Sequence, residues 1–83
     1  MNYAPHIWDQ LRNITADELV SALKKDGWTE DTKQGAIIAY LSGTNRVTVH
    51  YHPGKTYGAK LLKGLLEDIG WSEADLRRLK LVK

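Results

Sequence analysis

The spacing of apolar residues changes twice along this chain, and that double change limits its fold more than any other feature. Ala16, Leu19, Val20 and Leu23 recur at helical spacing. In the segment RVTVHYH, Val47, Val49 and Tyr51 alternate with Arg46, Thr48, His50 and His52, the period of two that gives a strand one apolar and one polar face. Leu61, Leu62, Leu65, Leu66 and Ile69 then return to helical spacing. Helices before and after a set of antiparallel strands bury their stripes by lying on one face of the sheet. The pattern therefore predicts an α+β fold, a small two-layer sandwich of order α-β-β-β-α.

Local signals set the boundaries. Thr15 and Glu18 have capping-box spacing, Lys24 and Lys25 suit the end of a helix dipole, and Gly27 supplies a stop, so a helix is predicted over 16–25. Strands are predicted near 28–33, 35–41 and 46–52, with a turn at Ser-Gly-Thr-Asn between the last two. His52-Pro53-Gly54-Lys55 is a turn, because proline sets φ and glycine accepts a positive one. A second helix follows over 58–69 and ends at Gly70, and Ser72 with Asp75 starts a short C-terminal helix reaching about Leu79. Residues 1–13 show no sustained period and Pro5 interrupts them, so they read as an N-terminal arm before a single domain over 14–83. Ile7, Trp8 and Leu11 have the spacing of one helical turn that could dock on the body, with a disordered leader as the alternative.

Composition narrows the chemistry. Eighty-three residues hold one small core, and the absence of cysteine excludes disulfides, thiolate metal sites and cysteine nucleophiles. No apolar run approaches the length needed to span a bilayer, and the N-terminus has no basic region followed by an apolar one, so a cytoplasmic address is expected. The net charge of +2 is unevenly spread. Residues 1–44 carry four basic side chains against six acidic ones, whereas residues 45–83 carry eight against four, which places any polyanion on the C-terminal half.

The helix ending KKDGW, the Gly-led middle strand GAIIAY, the strand RVTVHYHPGK and the closing helix LLKGLLEDIGW, in that order and spacing, resemble the HicA-type (YcfA-like) toxins of bacterial type II toxin–antitoxin pairs. The resemblance covers about residues 14–71. It implies a fold like a double-stranded-RNA-binding domain, metal-independent cleavage of mRNA, and neutralisation by a HicB-type antitoxin. Typical members open the middle strand with Gly-Ser-His or Gly-Ser-His-His, whose first histidine is the catalytic group. Here the stretch reads Gly35, Ala36, Ile37, Ile38, and isoleucine can neither accept nor donate a proton. The helix entry Tyr-Gly-Ala-Lys also lacks the proline that many members place there.

Metal-free RNA cleavage needs a base for the 2′-hydroxyl proton, an acid for the leaving oxygen and a cation for the phosphate; histidine, with an ordinary pKa of about 6.5, suits the first two roles. His6 lies in the arm, which leaves His50 and His52 as the candidate pair, on one face of their strand. Three other readings of this pair stand beside it: residues flanking a turn, RNA contacts without catalysis, or a His-x-His metal site. The sequence places no third metal ligand, and neither metal nor cofactor is expected. Lys33, Arg46, Lys55 and Lys60 are the candidate phosphate contacts, with ordinary solvated lysines and arginines as the alternative. The expected function is an RNA-binding HicA-like toxin with endoribonuclease chemistry; the alternative is a catalytically degenerate RNA- or protein-binding module. Ala36, Ile38 and Tyr40 face one way and Ile37, Ala39 and Leu41 the other, so the middle strand is apolar on both faces while helices cover only one. An antitoxin, the N-terminal arm, or a second copy of the chain is expected to cover the other face.

Overall fold

The computed structural model describes residues 3–83. In chain order these form α1 (Pro5–Leu11), α2 (Ala16–Lys25), β1 (Thr29–Gln34), β2 (Ile37–Ser42), β3 (Asn45–His50), α3 (Ala59–Ile69) and α4 (Glu73–Arg78). The strands make an antiparallel sheet of order β1-β2-β3. Ile38, Tyr40, Val47 and Val49 of its inner face share one buried cluster with the apolar sides of the helices. The α-β-β-β-α sandwich with a short C-terminal helix is thus present, preceded by one further helix.

Side chains close the helix starts where the sequence supplies them. The Glu18 amide donates to Thr15 Oγ1 and the Thr15 amide to Glu18 Oε1, each at 3.2 Å, and Ser72 and Asp75 repeat the exchange at the start of α4. The start of α3 is different, because its N-cap is Gly58 and no side chain caps the first turn. Gly70 ends that helix in the left-handed conformation with φ of 81°. Leu62, Leu65, Leu66 and Ile69 are buried, but Leu61 is 49% exposed, since the apolar stripe is broader than the face that packs on the sheet.

Pro5 opens α1 rather than interrupting the chain. At the first helical position proline loses no intrahelical hydrogen bond and its φ already suits the helix. Ile7 and Leu11 are fully buried in the common core, and Tyr3 donates from its hydroxyl to the Trp71 carbonyl. Residues 1 and 2 of the expected arm lie outside the described residues.

The sheet departs from expectation at both edges. β3 ends at His50 rather than His52: the Tyr51 amide still donates to the Ala36 carbonyl at 2.6 Å, in the register of the β2–β3 ladder, but the Tyr51 hydroxyl is held by Asp17 and the chain turns at once through His52–Lys55. Every residue of β1 is exposed, so the helices cover β2 and β3 and leave this charged edge in water. Its register shifts between Glu30 and Thr32, and the extra residue, Asp31, meets Arg46 at 3.5 Å. Arg46 also donates to Thr32 Oγ1 at 3.4 Å. Its side chain thus reaches from β3 across β2 to β1, over the outer face, where Ala39 is only 2% exposed. Ile37 stays 44% exposed at the other end of that face.

Candidate functional site

The segment that follows β3 is tied to the start of α2. The Lys55 amide donates to the His52 carbonyl at 3.0 Å, closing the turn, and Gly54 takes φ of 76°, which a residue with a Cβ adopts only under strain. The Gly54 amide donates to Asp17 Oδ2 at 2.8 Å, the Tyr51 hydroxyl donates to Asp17 Oδ1, and the Ala16 amide donates to the Lys55 carbonyl at 2.9 Å. Thr15 and Thr56 add an isolated antiparallel bridge. The hydrogen bond from Tyr51, followed by that from Gly54, holds the Asp17 carboxyl below the usual carboxylate range. The same bond raises the Tyr51 phenol, so the pair persists as carboxylate and neutral phenol.

This anchoring brings His50, His52 and Lys55 together. All three line one open groove of about 330 Å³, whose other walls are Ala16, Thr56, Tyr57, Gly58 and Leu61. Tyr57 is buried, and its hydroxyl donates to the His50 carbonyl at 3.0 Å, which fixes the main chain carrying that histidine. Burial pushes the Tyr57 phenol up to about 12, so it remains a donor across the physiological range. Gly58 places the uncapped N-terminus of α3 in the same groove, with first-turn amides and the positive end of the helix dipole alongside two imidazoles and an ammonium. The arrangement suits a phosphate.

The other candidates lie elsewhere. Lys60 is exposed on the first turn of α3, next to the groove in sequence but not among its walls. Lys33 stands on the exposed edge strand β1. Arg46 is at the far end of β3 and is engaged by Asp31 and Thr32. Among the described residues all four arginines are ion-paired, whereas Lys33, Lys55 and Lys60 enter no ion pair. Asp17 and Tyr57 were not singled out by sequence. The proximity of Asp17 to Tyr51 and Gly54 is a contact across more than thirty residues, and no local pattern encodes it.

Ile37 is the register partner of His50 on the outer face. Cross-strand partners have Cβ atoms roughly 5 Å apart, so the residue at 37 stands beside the groove's first histidine. With these elements in place, residues 16–71, more than half of the chain, match the family described as the HicA toxin of bacterial toxin–antitoxin systems. The chain belongs to the HicA toxin family. The matched region runs from α2 to the residue after Gly70 and contains every wall of the groove; α1 and α4 lie outside it. No curated protein and no solved structure matches the chain. Membership makes it the toxin half of a pair whose other half is an antitoxin. Among the described residues no helix is long and apolar enough to cross a membrane.

Proposed function

We propose that this HicA-type toxin binds RNA in the groove beside α3 and cleaves it without a metal, and that a HicB-type antitoxin silences it in the cytoplasm. The observation that carries this reading is the convergence of His50, His52 and Lys55 on one groove at the uncapped start of a helix. His50 takes the proton from a 2′-hydroxyl, the 2′-oxygen attacks the adjacent phosphorus, and the bond from phosphorus to the 5′-oxygen breaks. His52 donates a proton to that leaving oxygen, and the product is a 2′,3′-cyclic phosphate with a free 5′-hydroxyl. Lys55 and the first-turn amides of α3 meet the charge that develops on the phosphate. Lys60 and Lys33 attract the strand at longer range, and Arg46, released from Asp31, joins them.

Induction of the chain in a bacterium tests this directly. Growth arrest with loss of intact mRNA is expected, with relief on co-expression of the antitoxin. In vitro, His50→Ala and His52→Ala each slow cleavage by about 10²–10⁴-fold. A double variant as toxic as the parent removes the histidines from the mechanism.

A second reading is favoured by Ile37, which puts an aliphatic side chain beside His50 where the family's histidine belongs. On that reading the same groove binds RNA or protein without cutting. RNA affinity that falls steeply with salt, with no cleavage product at any enzyme concentration, selects it.

A further inference from the structure

A second groove, of about 270 Å³, runs between α1 and α3 and is lined by Trp8, Asp9, Arg12, Ala59, Leu62 and Lys63. Trp8, Ala59 and Leu62 make its apolar floor. Arg12 and Lys63 stand at its rim, where the one carboxylate, Asp9, lies 4.0 Å from Arg12, and among the described residues Lys63 has no ion pair. The Trp8 ring is half-buried and is held edge-on by Tyr3, with ring centres 5.2 Å apart and planes at 64°. The other two indoles, of Trp28 and Trp71, are buried and donate to Asp26. Trp8 is therefore the tryptophan that offers ring surface to a ligand.

The two grooves flank the N-terminal turn of α3. Gly58 and Leu61 face the histidines, while Ala59, Leu62 and Lys63 face Trp8, and Lys60 projects between them. A strand with a phosphate in the histidine groove crosses the start of one helix to reach Trp8. We propose that the α1–α3 groove receives an unpaired nucleobase of single-stranded RNA, stacked on Trp8, with Lys63 on the neighbouring phosphate. The assignment rests on the RNA reading of the histidine groove. It follows from the volume, which takes a planar ring and not a helix, from the surplus of cations at the rim, and from continuity with the phosphate-suited groove. Because α1 lies outside residues 16–71, this subsite is an addition to the part of the chain that the family shares.

Binding of a fluorescent 2′-O-methyl single strand, which has no attacking hydroxyl and stays intact, tests the proposal on the full chain beside a hairpin duplex of the same sequence. Trp8→Leu is expected to weaken the single strand about tenfold and to leave the hairpin unchanged, with Trp8→Phe close to the parent. Addition of the single strand quenches tryptophan emission in the parent and not in Trp8→Phe. Lys63→Glu, at an exposed position, weakens the same complex and lowers its salt dependence, and serves if Trp8→Leu fails to fold. If Trp8→Leu and Lys63→Glu bind like the parent while Lys55→Ala is weakened, the base subsite is wrong and the histidine groove stands. If the parent binds no RNA, both fall; if Trp8→Leu instead loses only the antitoxin, the groove is a protein site and the proposal fails.

Discussion

Asp26 is a residue on which distant parts of the chain converge. Its carboxylate accepts from the indole of Trp71 at 2.7 Å, from the indole of Trp28 at 3.2 Å and from Arg78, so it joins the end of α2 to the start and end of α4. Burial alone raises such a carboxyl, but the hydrogen bonds from Trp71, Arg78 and Trp28 outweigh it and the net direction is down. A depressed carboxyl contributes stability that is complete above its unfolded pKa of about 3.9 and is lost as pH falls through the folded value. Asp26→Ala leaves the buried Trp71 N–H without a partner and is expected to cost about 2 kcal/mol in urea unfolding at neutral pH. The variant also shows a flatter decline below pH 4 than the parent. Tyr57 gives the opposite limb. Its phenol, raised to about 12 by burial, contributes stability that is complete below pH 10 and lost between about pH 10 and 12. Tyr57→Phe is expected to flatten that alkaline decline and to lose about 1 kcal/mol at neutral pH with its bond to the His50 carbonyl.

Helices α2 and α4 announce themselves in sequence because their capping boxes are contained in four residues, Thr15 to Glu18 and Ser72 to Asp75. The end of α4 was less legible. Lys80 takes φ of 61° at the position where helices favour glycine, and the amides of Lys80 and Leu81 donate back to the carbonyls of Arg77 and Leu76 at 3.1 and 2.9 Å. A residue with a Cβ is strained there, so Lys80→Gly is expected to raise stability by up to about 1 kcal/mol, read as a shift in the urea midpoint at unchanged slope. An unchanged or lowered midpoint shows instead that the lysine side chain compensates for its backbone. β3 shows the limit of period-two reading. Its alternation runs on in sequence to His52, but after one last in-register bond from the Tyr51 amide to Ala36 the Tyr51 hydroxyl is tied to Asp17 and the chain turns through His52–Lys55, and the strand stops at His50.

At the scale of the molecule the helices and sheet share one core, and α1 belongs to it. Leu11 is fully buried, and Leu11→Ala is expected to cost about 2–5 kcal/mol in a single cooperative transition; a loss below 1 kcal/mol shows that α1 only rests on the surface. Packing of this kind is invisible in the run MNYAPHIWDQLRN, because one apolar turn is compatible with a docked helix and with a free leader alike. The period of the apolar residues, the capping boxes and the turn glycines are local, and they determined from sequence alone the helices at both ends of the sheet, the three strands and the sandwich they build. The chemistry that metal-free RNA cleavage needs, read on the same sequence, named His50 and His52 with Lys33, Arg46, Lys55 and Lys60 as candidates. The tertiary structure decided which candidates share a groove and which stand apart at β1 or across the outer face. It did so through contacts between residues far apart in sequence: Asp17 with Tyr51 and Gly54, Tyr57 with the His50 carbonyl, and Arg46 with Asp31. Such contacts depend on how elements pack, and a one-dimensional pattern records only the propensity of each element to form.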